Sequence, residues 1–185
     1  LAVPLWLISL LAYRELTKAL RCATNEKKFN ALEWIGFVGV TAYYATLFFT
    51  WDHTLLLMCI VGLFMAEMFC YVVLFPKYEA SQVMAAVFSF LYAPVLLSFV
   101  YLTRECETGI YLVWLILISS WGCDTCAYVV GKLIGKKHIF PELSPHKSLE
   151  GCIGGVVGAA LIGGLYAHFF VETAFPDRTI TWIIA

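Results

Sequence analysis

Long apolar runs alternate with short polar segments along the whole chain. Apolar or nearly apolar stretches occupy residues 1–20, 31–50, 54–75, 82–103, 109–131 and 148–171. Each is close to the roughly 20 residues a helix needs to cross the hydrocarbon core of a bilayer. The breaks between them are polar. Residues 21–30 carry Arg21, Lys27 and Lys28, a tight Trp51-Asp52-His53 turn ends the second run, and Pro76-Lys77-Tyr78-Glu79 ends the third. Pro94 lies inside the fourth run, where a membrane helix tolerates it if neighbours satisfy the freed carbonyl. Residues 172–179 form another polar loop, and 180–185 would open a seventh run. The pattern predicts an all-α fold, a polytopic transmembrane helical bundle of six spans in one integral-membrane domain over residues 1–185.

Composition strengthens that reading. The chain is 62% hydrophobic and 14% charged, with a mean hydropathy of +0.84, whereas about a quarter of the residues of an ordinary soluble domain are charged. The net charge of −1 says nothing about partners, but the placement of charge does. Loops after the first, third and fifth runs hold Arg21, Lys27, Lys28, Lys77, Lys132, Lys136, Lys137 and Lys147; the other loops hold Arg104 and Arg178. Positive residues gather on the cytoplasmic side, so the 131–147 loop is expected to face the cytoplasm. Seven cysteines, mostly inside apolar runs, give no disulfide framework and read as small buried hydrophobes. Leu1 and Ala185 both read as cut ends, so the chain is expected to be a fragment truncated at the C-terminus and also at the N-terminus.

The candidate chemistry is concentrated in WGCDTCAYVVGKLIGKKHIFPELSPHKSLEGCIGG, from Trp121 to Gly155. Asp124 falls within the last turns of the fifth run, and an acid at membrane depth is usually functional. Counted back from Gly131, it sits about 10 Å inside the helix end. Lys132, Lys136, Lys137 and His138 follow, then Ser144, Pro145, His146, Lys147, Ser148 and Glu150. Ser144-Pro145 reads as N-cap and first residue of the sixth helix, whose free N–H groups would face the loop and suit phosphate. Lys147 would then lie in the first turn, a poor place for a cation unless it binds something. Glu150 fits either as a first-turn acid or as an orienting group. Gly151/Gly155 and Gly154/Gly158 are small-residue pairs that allow close helix approach, and the CxxC of Cys123 and Cys126 reads as packing. Glu67 and the Arg14/Glu15 pair could line a lipid path or be buried partners; the sequence does not choose.

Two blocks in this stretch resemble the phosphatidate cytidylyltransferases, also called CDP-diacylglycerol synthases. Asp124, Thr125, Ala127, Tyr128, Gly131, Lys132, Gly135 and Lys136 match the first half of the family pattern. Ser144, Pro145, Lys147, Ser148, Glu150, Gly151, Gly154 and Gly155 match the second. The resemblance implies an integral-membrane nucleotidyltransferase that makes CDP-diacylglycerol and pyrophosphate from CTP and phosphatidate. It implies Asp124, Lys147 and Glu150 as catalytic residues and Asp124 as a ligand of Mg²⁺, with a second cation left open. Lys132, Lys136, Ser144, Ser148, Thr125 and Tyr128 are the implied substrate-binding set. The expected partners are CTP, phosphatidate and membrane lipids, not nucleic acid, with a homo-oligomer left open. The family's C-terminal His-Gly-Gly and acidic signature is absent from residues 1–185, so these residues alone are expected to be inactive. A CTP-dependent lipid kinase and a transporter are the alternative functions, the latter with Asp124 and Glu67 on its pathway.

Overall fold

A computed structural model describes residues 2–20, 30–50, 52–137, 144 and 147–171. Among these the chain is helical throughout, with no β-strand. The helices are α1 (Ala2–Ala19), α2 (Ala31–Phe49), α3 (His53–Val73), α4 (Ala80–Glu105), α5 (Gly109–Ile134) and α6 (Leu149–Phe170). The last five are long and apolar enough to cross a membrane. The first is a helix, as expected, but it is the exception as a span. Its 18 residues include Arg14, Glu15 and Lys18, and so dense a set of charges near one end works against placing it fully in hydrocarbon. Glu15 pairs with Lys18 at 2.7 Å along the helix surface.

Helix starts follow local side-chain chemistry. Asn30 and Glu33 form a reciprocal capping box that opens α2, and the Asp52 carboxylate accepts from the Thr54 amide to open α3. Glu79 and Gln82 play the reciprocal roles at α4. Each device satisfies amides that a helix start leaves without intrahelical partners.

The chain divides into two compact units, residues 1–102 and 103–185. The core of the first is built around aromatic residues. Tyr13, Tyr43, Tyr44 and Phe90 are buried with Leu47, Leu56 and Leu63. The Tyr43 and Tyr44 hydroxyls are used. Ser9 and Tyr44 hydroxyls lie 2.7 Å apart, Tyr44 donates to the Pro94 carbonyl at 3.1 Å, and Tyr43 meets Ser98 at 3.0 Å. Pro94 is absorbed by a π-helical turn over Leu91–Val95, and the Tyr44 hydroxyl donates to the Pro94 carbonyl from α2.

Glu67 is the anomaly of this unit. It is 0% exposed, and neither carboxyl oxygen has a hydrogen-bond partner among the described residues. It lies on α3 between Leu63, which fills the space over Gly39 of α2, and Cys70, which clusters with Leu32 of α2. Glu67 therefore faces the middle of the α2–α3 seam. It does not pair with Glu15, nor does it line an open path.

In the second unit α5 and α6 form an antiparallel hairpin, and glycines set its spacing. A methyl on Gly155 would sit 2.9 Å from both the Ala127 methyl and the Cys123 carbonyl oxygen. One on Gly158 would strike Cys126 Sγ, and one on Gly154 would lie 2.5 Å from Val130. The small-residue face thus does what its spacing predicts. Cys123 and Cys126 are packing residues against it, with free thiols.

Candidate active site at the base of the α5–α6 hairpin

α5 runs 26 residues, about 39 Å at 1.5 Å per residue. It continues three residues beyond Gly131, so Asp124 stands ten residues, or about 15 Å, before the helix ends at Ile134. That is one turn deeper than the sequence estimate. The face of α5 toward α6 carries Cys123, Cys126, Ala127, Val130 and Gly131. Asp124, Thr125, Tyr128 and Lys132 lie on other faces and are exposed. Asp124, Tyr128 and Lys132 follow at i, i+4 and i+8, so they line up along one stripe. Within it the Lys132 ammonium lies 5.8 Å from the centre of the Tyr128 ring, a cation–π contact that steadies the lysine.

At the end of α5 the chain turns extended at Gly135, whose backbone N–H still donates to Gly131 O at 3.0 Å. Gly135 is required here by space. A side chain would collide with the Gly131 carbonyl and lie 2.9 Å from Ser148 Cβ. The close approach seats Ser148 between α5 and α6, with Gly131 and Gly151 on either side of its hydroxyl.

The start of α6 differs from the sequence expectation. Its N-cap is Ser148 and not Ser144: the Ser148 hydroxyl accepts from the Gly151 amide at 3.2 Å, and the first helical residue is Leu149. Ser144 accepts at its carbonyl from the Lys147 amide at 3.2 Å, in a turn four residues earlier. Electrostatics explains the shift. A helix begun at Pro145 would place Lys147 against the positive end of the dipole, whereas one begun at Leu149 leaves Lys147 outside and Glu150 in the first turn. The expected ring of free amides is also reduced, since Leu149 N–H donates to the Lys137 carbonyl at 2.8 Å. Ser148, 4% exposed, is committed to capping and offers little surface to a ligand.

Glu150 closes the arrangement. Its Oε2 accepts from the backbone amides of Lys136 at 3.2 Å and Lys137 at 3.3 Å. The stretch after α5 and the stretch before α6 are thereby joined, and Lys136, Lys137 and Lys147, all exposed, stand around one junction. Sequence reasoning had these residues but not the bonds between them; Gly135 and the acid two residues beyond the cap were the available signals. Pro145, His146 and His138 lie outside the described residues.

The fit of a hard cation can be judged from the donors present. Among the described residues no three His, Cys, Asp or Glu side chains come together, so there is no all-protein cage. Mg²⁺, however, is commonly held by one or two carboxylates with substrate phosphates and water completing the shell. An exposed Asp124 suits one such position.

The sequence comparisons point one way. The cytidylyltransferase family model matches residues 1–185. A stretch of 82 residues is 37% identical to a Haemophilus influenzae protein named phosphatidate cytidylyltransferase, covering 44% of this chain and 28% of that protein. Proteins of the same name from Aquifex aeolicus and Thermotoga maritima are 30% identical over 101 residues and 38% over 92. Those two alignments take in 55% and 48% of this chain, and 38% and 34% of the relatives. The aligned part therefore spans about a third of the length of the curated relatives.

Proposed function

The chain belongs to the cytidylyltransferase family, and on that premise we propose that the whole protein transfers the cytidylyl group of CTP to phosphatidate in the membrane. An oxygen of the phosphatidate monoester attacks the α-phosphorus of CTP and forms the new P–O bond. The bond from that phosphorus to the β-phosphate oxygen breaks, its electron pair leaves with pyrophosphate, and CDP-diacylglycerol remains. Both reactants are anions, so the site must neutralise charge and hold the groups in line. The observation that carries this reading is the junction itself: the two motif blocks are bonded at the hairpin base, with lysines around the bond and Asp124 on the same helix.

In this reading Lys132, Lys136 and Lys147 meet the triphosphate, Tyr128 steadies Lys132, and Thr125 and Ser144 contact substrate. Ser148 and Glu150 shape the backbone. Asp124 would hold Mg²⁺, which when bound supplies charge neutralisation at the phosphates. The loop over 131–147 is placed in the cytoplasm, where CTP is available, on the eight-to-two distribution of positive residues.

The test is production of CDP-diacylglycerol from CTP and phosphatidate by the intact protein in lipid nanodiscs, wild type beside Asp124→Asn. The asparagine keeps size and removes the charge that a hard cation prefers. Product is expected from the wild type, with loss of a hundredfold or more in the variant at equal expression. Near-normal activity of Asp124→Asn at low Mg²⁺ would make Asp124 structural, and no product from the wild type would refute the reaction.

A further inference from the structure

Three groups in the described residues are chemically loaded beyond a packing role: the enclosed Glu67 carboxyl, the Cys123/Cys126 thiols, and the Glu150 carboxylate. The thiols face glycines, and Glu67 has neither a cavity nor an opening. Glu150 is different, because one carboxylate oxygen holds two consecutive backbone amides. We infer that Glu150 is a positioning residue that clamps the Lys136–Lys137 backbone to the start of α6 and so fixes where Lys136 and Lys147 stand. The inference deepens the proposed cytidylyl transfer and rests on it for its catalytic readout only.

The chain leaves α5 at Gly135 and re-enters helix at Leu149. Among the described residues, two attachments cross that interval. Leu149 N–H donates to the Lys137 carbonyl, and the Glu150 side chain reaches back to the amides of Lys136 and Lys137. Lys137 is thus held through both its amide and its carbonyl, and its backbone orientation is set. Lys136 is held through its amide. Hydrogen bonds to an ionised acceptor are the stronger kind, and a carboxylate in the first turn of α6 is favoured by the dipole as well. Without Glu150, the Lys136 and Lys137 amides would lose this acceptor, and the backbone beyond Gly135 would be held less firmly to the start of α6.

A clamp and a metal ligand make different demands on this side chain. A metal ligand needs the negative charge. A clamp needs an acceptor oxygen at the right reach, which glutamine supplies and aspartate, one methylene shorter, does not. The experiment compares Glu150→Ala, Glu150→Asp and Glu150→Gln in the intact protein in nanodiscs. It reads amide hydrogen exchange at Lys136 and Lys137 together with steady-state kinetics in CTP and in phosphatidate. Exchange at the two amides should speed up roughly ten- to a hundredfold in Glu150→Ala and Glu150→Asp, the range expected for losing a hydrogen bond to a charged acceptor. Glu150→Gln should restore most of the protection and keep at least ten times the kcat/KM for CTP of Glu150→Ala. The loss in the alanine and aspartate variants should fall on CTP, with KM for phosphatidate little changed.

Unchanged exchange in both Glu150→Ala and Glu150→Asp overturns the clamp. So does a glutamine variant that keeps protection yet is as inactive as alanine, because the charge would then be acting on substrate or metal. If the wild type makes no CDP-diacylglycerol, the proposed reaction fails, while the exchange measurement still decides the clamp. Should Glu150→Ala fail to fold, the aspartate and glutamine pair carries the same test.

Discussion

Glu67→Leu should make this protein more stable. The carboxyl is 0% exposed and neither oxygen finds a hydrogen bond among the described residues. Leaving a buried polar group unsatisfied costs about 1–3 kcal/mol in protein mutational data. Leucine is of similar bulk and sits among Leu63, Cys70 and the apolar face of α2, so it removes that penalty and adds apolar contact. A repacking cost of up to about 1.5 kcal/mol for an approximately volume-conserving change, taken with the penalty at mid-range, leaves a net gain of about 1 kcal/mol. Glutamine is the informative comparison. It keeps the shape but brings two N–H donors into the same unpartnered place, so it should be no better than the wild type. The assay is reversible unfolding in mixed micelles, with the three proteins ranked by midpoint at constant slope. The expected order is leucine above glutamate, and glutamate level with or above glutamine. If glutamine equals the wild type while leucine falls more than about 1 kcal/mol below it, Glu67 has a partner worth that much and the reasoning is wrong.

The other outcomes concern the second unit and its loop. Gly158→Ala should destabilise the hairpin by about 1–3 kcal/mol through overpacking against Cys126, whereas Gly164→Ala, with nothing within 4 Å of its added methyl, should be neutral or gain up to about 1 kcal/mol in helix propensity; unfolding midpoints of the two variants decide it, and equal losses would refute the packing. Lys147→Ala should lower kcat/KM for CTP roughly ten- to a hundredfold, the worth of one charge-assisted contact, with little effect on the KM for phosphatidate; a loss confined to phosphatidate would move Lys147 to the lipid side. In a background without the exposed Cys106 and Cys152, cysteines at Lys137 and Asp52 should label from opposite faces of the membrane, and labelling from one face would overturn the orientation.

The spans were legible because lipid imposes a length. All six expected runs are helices to within a few residues, and the one that is not apolar enough to count as a span, α1, is the run whose end is crowded with Arg14, Glu15 and Lys18. The start of α6 was harder to read, since Ser144-Pro145 and Ser148 are both plausible caps from sequence. Besides the electrostatics of Lys147 and Glu150, Ser148 has the room that Gly131, Gly135 and Gly151 leave around it, which is a matter of three-dimensional fit. The same holds for the two intramembrane acids. In sequence Glu67 and Asp124 are alike, each an acid in an apolar run. The fold encloses the first between α2 and α3 and leaves the second on an open face of α5, and no periodicity distinguishes them. Glu150 was recognised as important, but the backbone amides it holds carry no side-chain signature.

The bond from Leu149 N–H to the Lys137 carbonyl also separates two design problems. Whatever connects those residues has its two ends held at a set gap by that bond. Closing a flexible connection costs only about 0.6 kcal/mol more for each doubling of its length. By that scaling, a short epitope that doubles the length between Lys137 and Ser144 adds about 0.6 kcal/mol to the cost of closure. The same insertion two residues past Ser148 would separate the cap from its amide and unfasten the helix start.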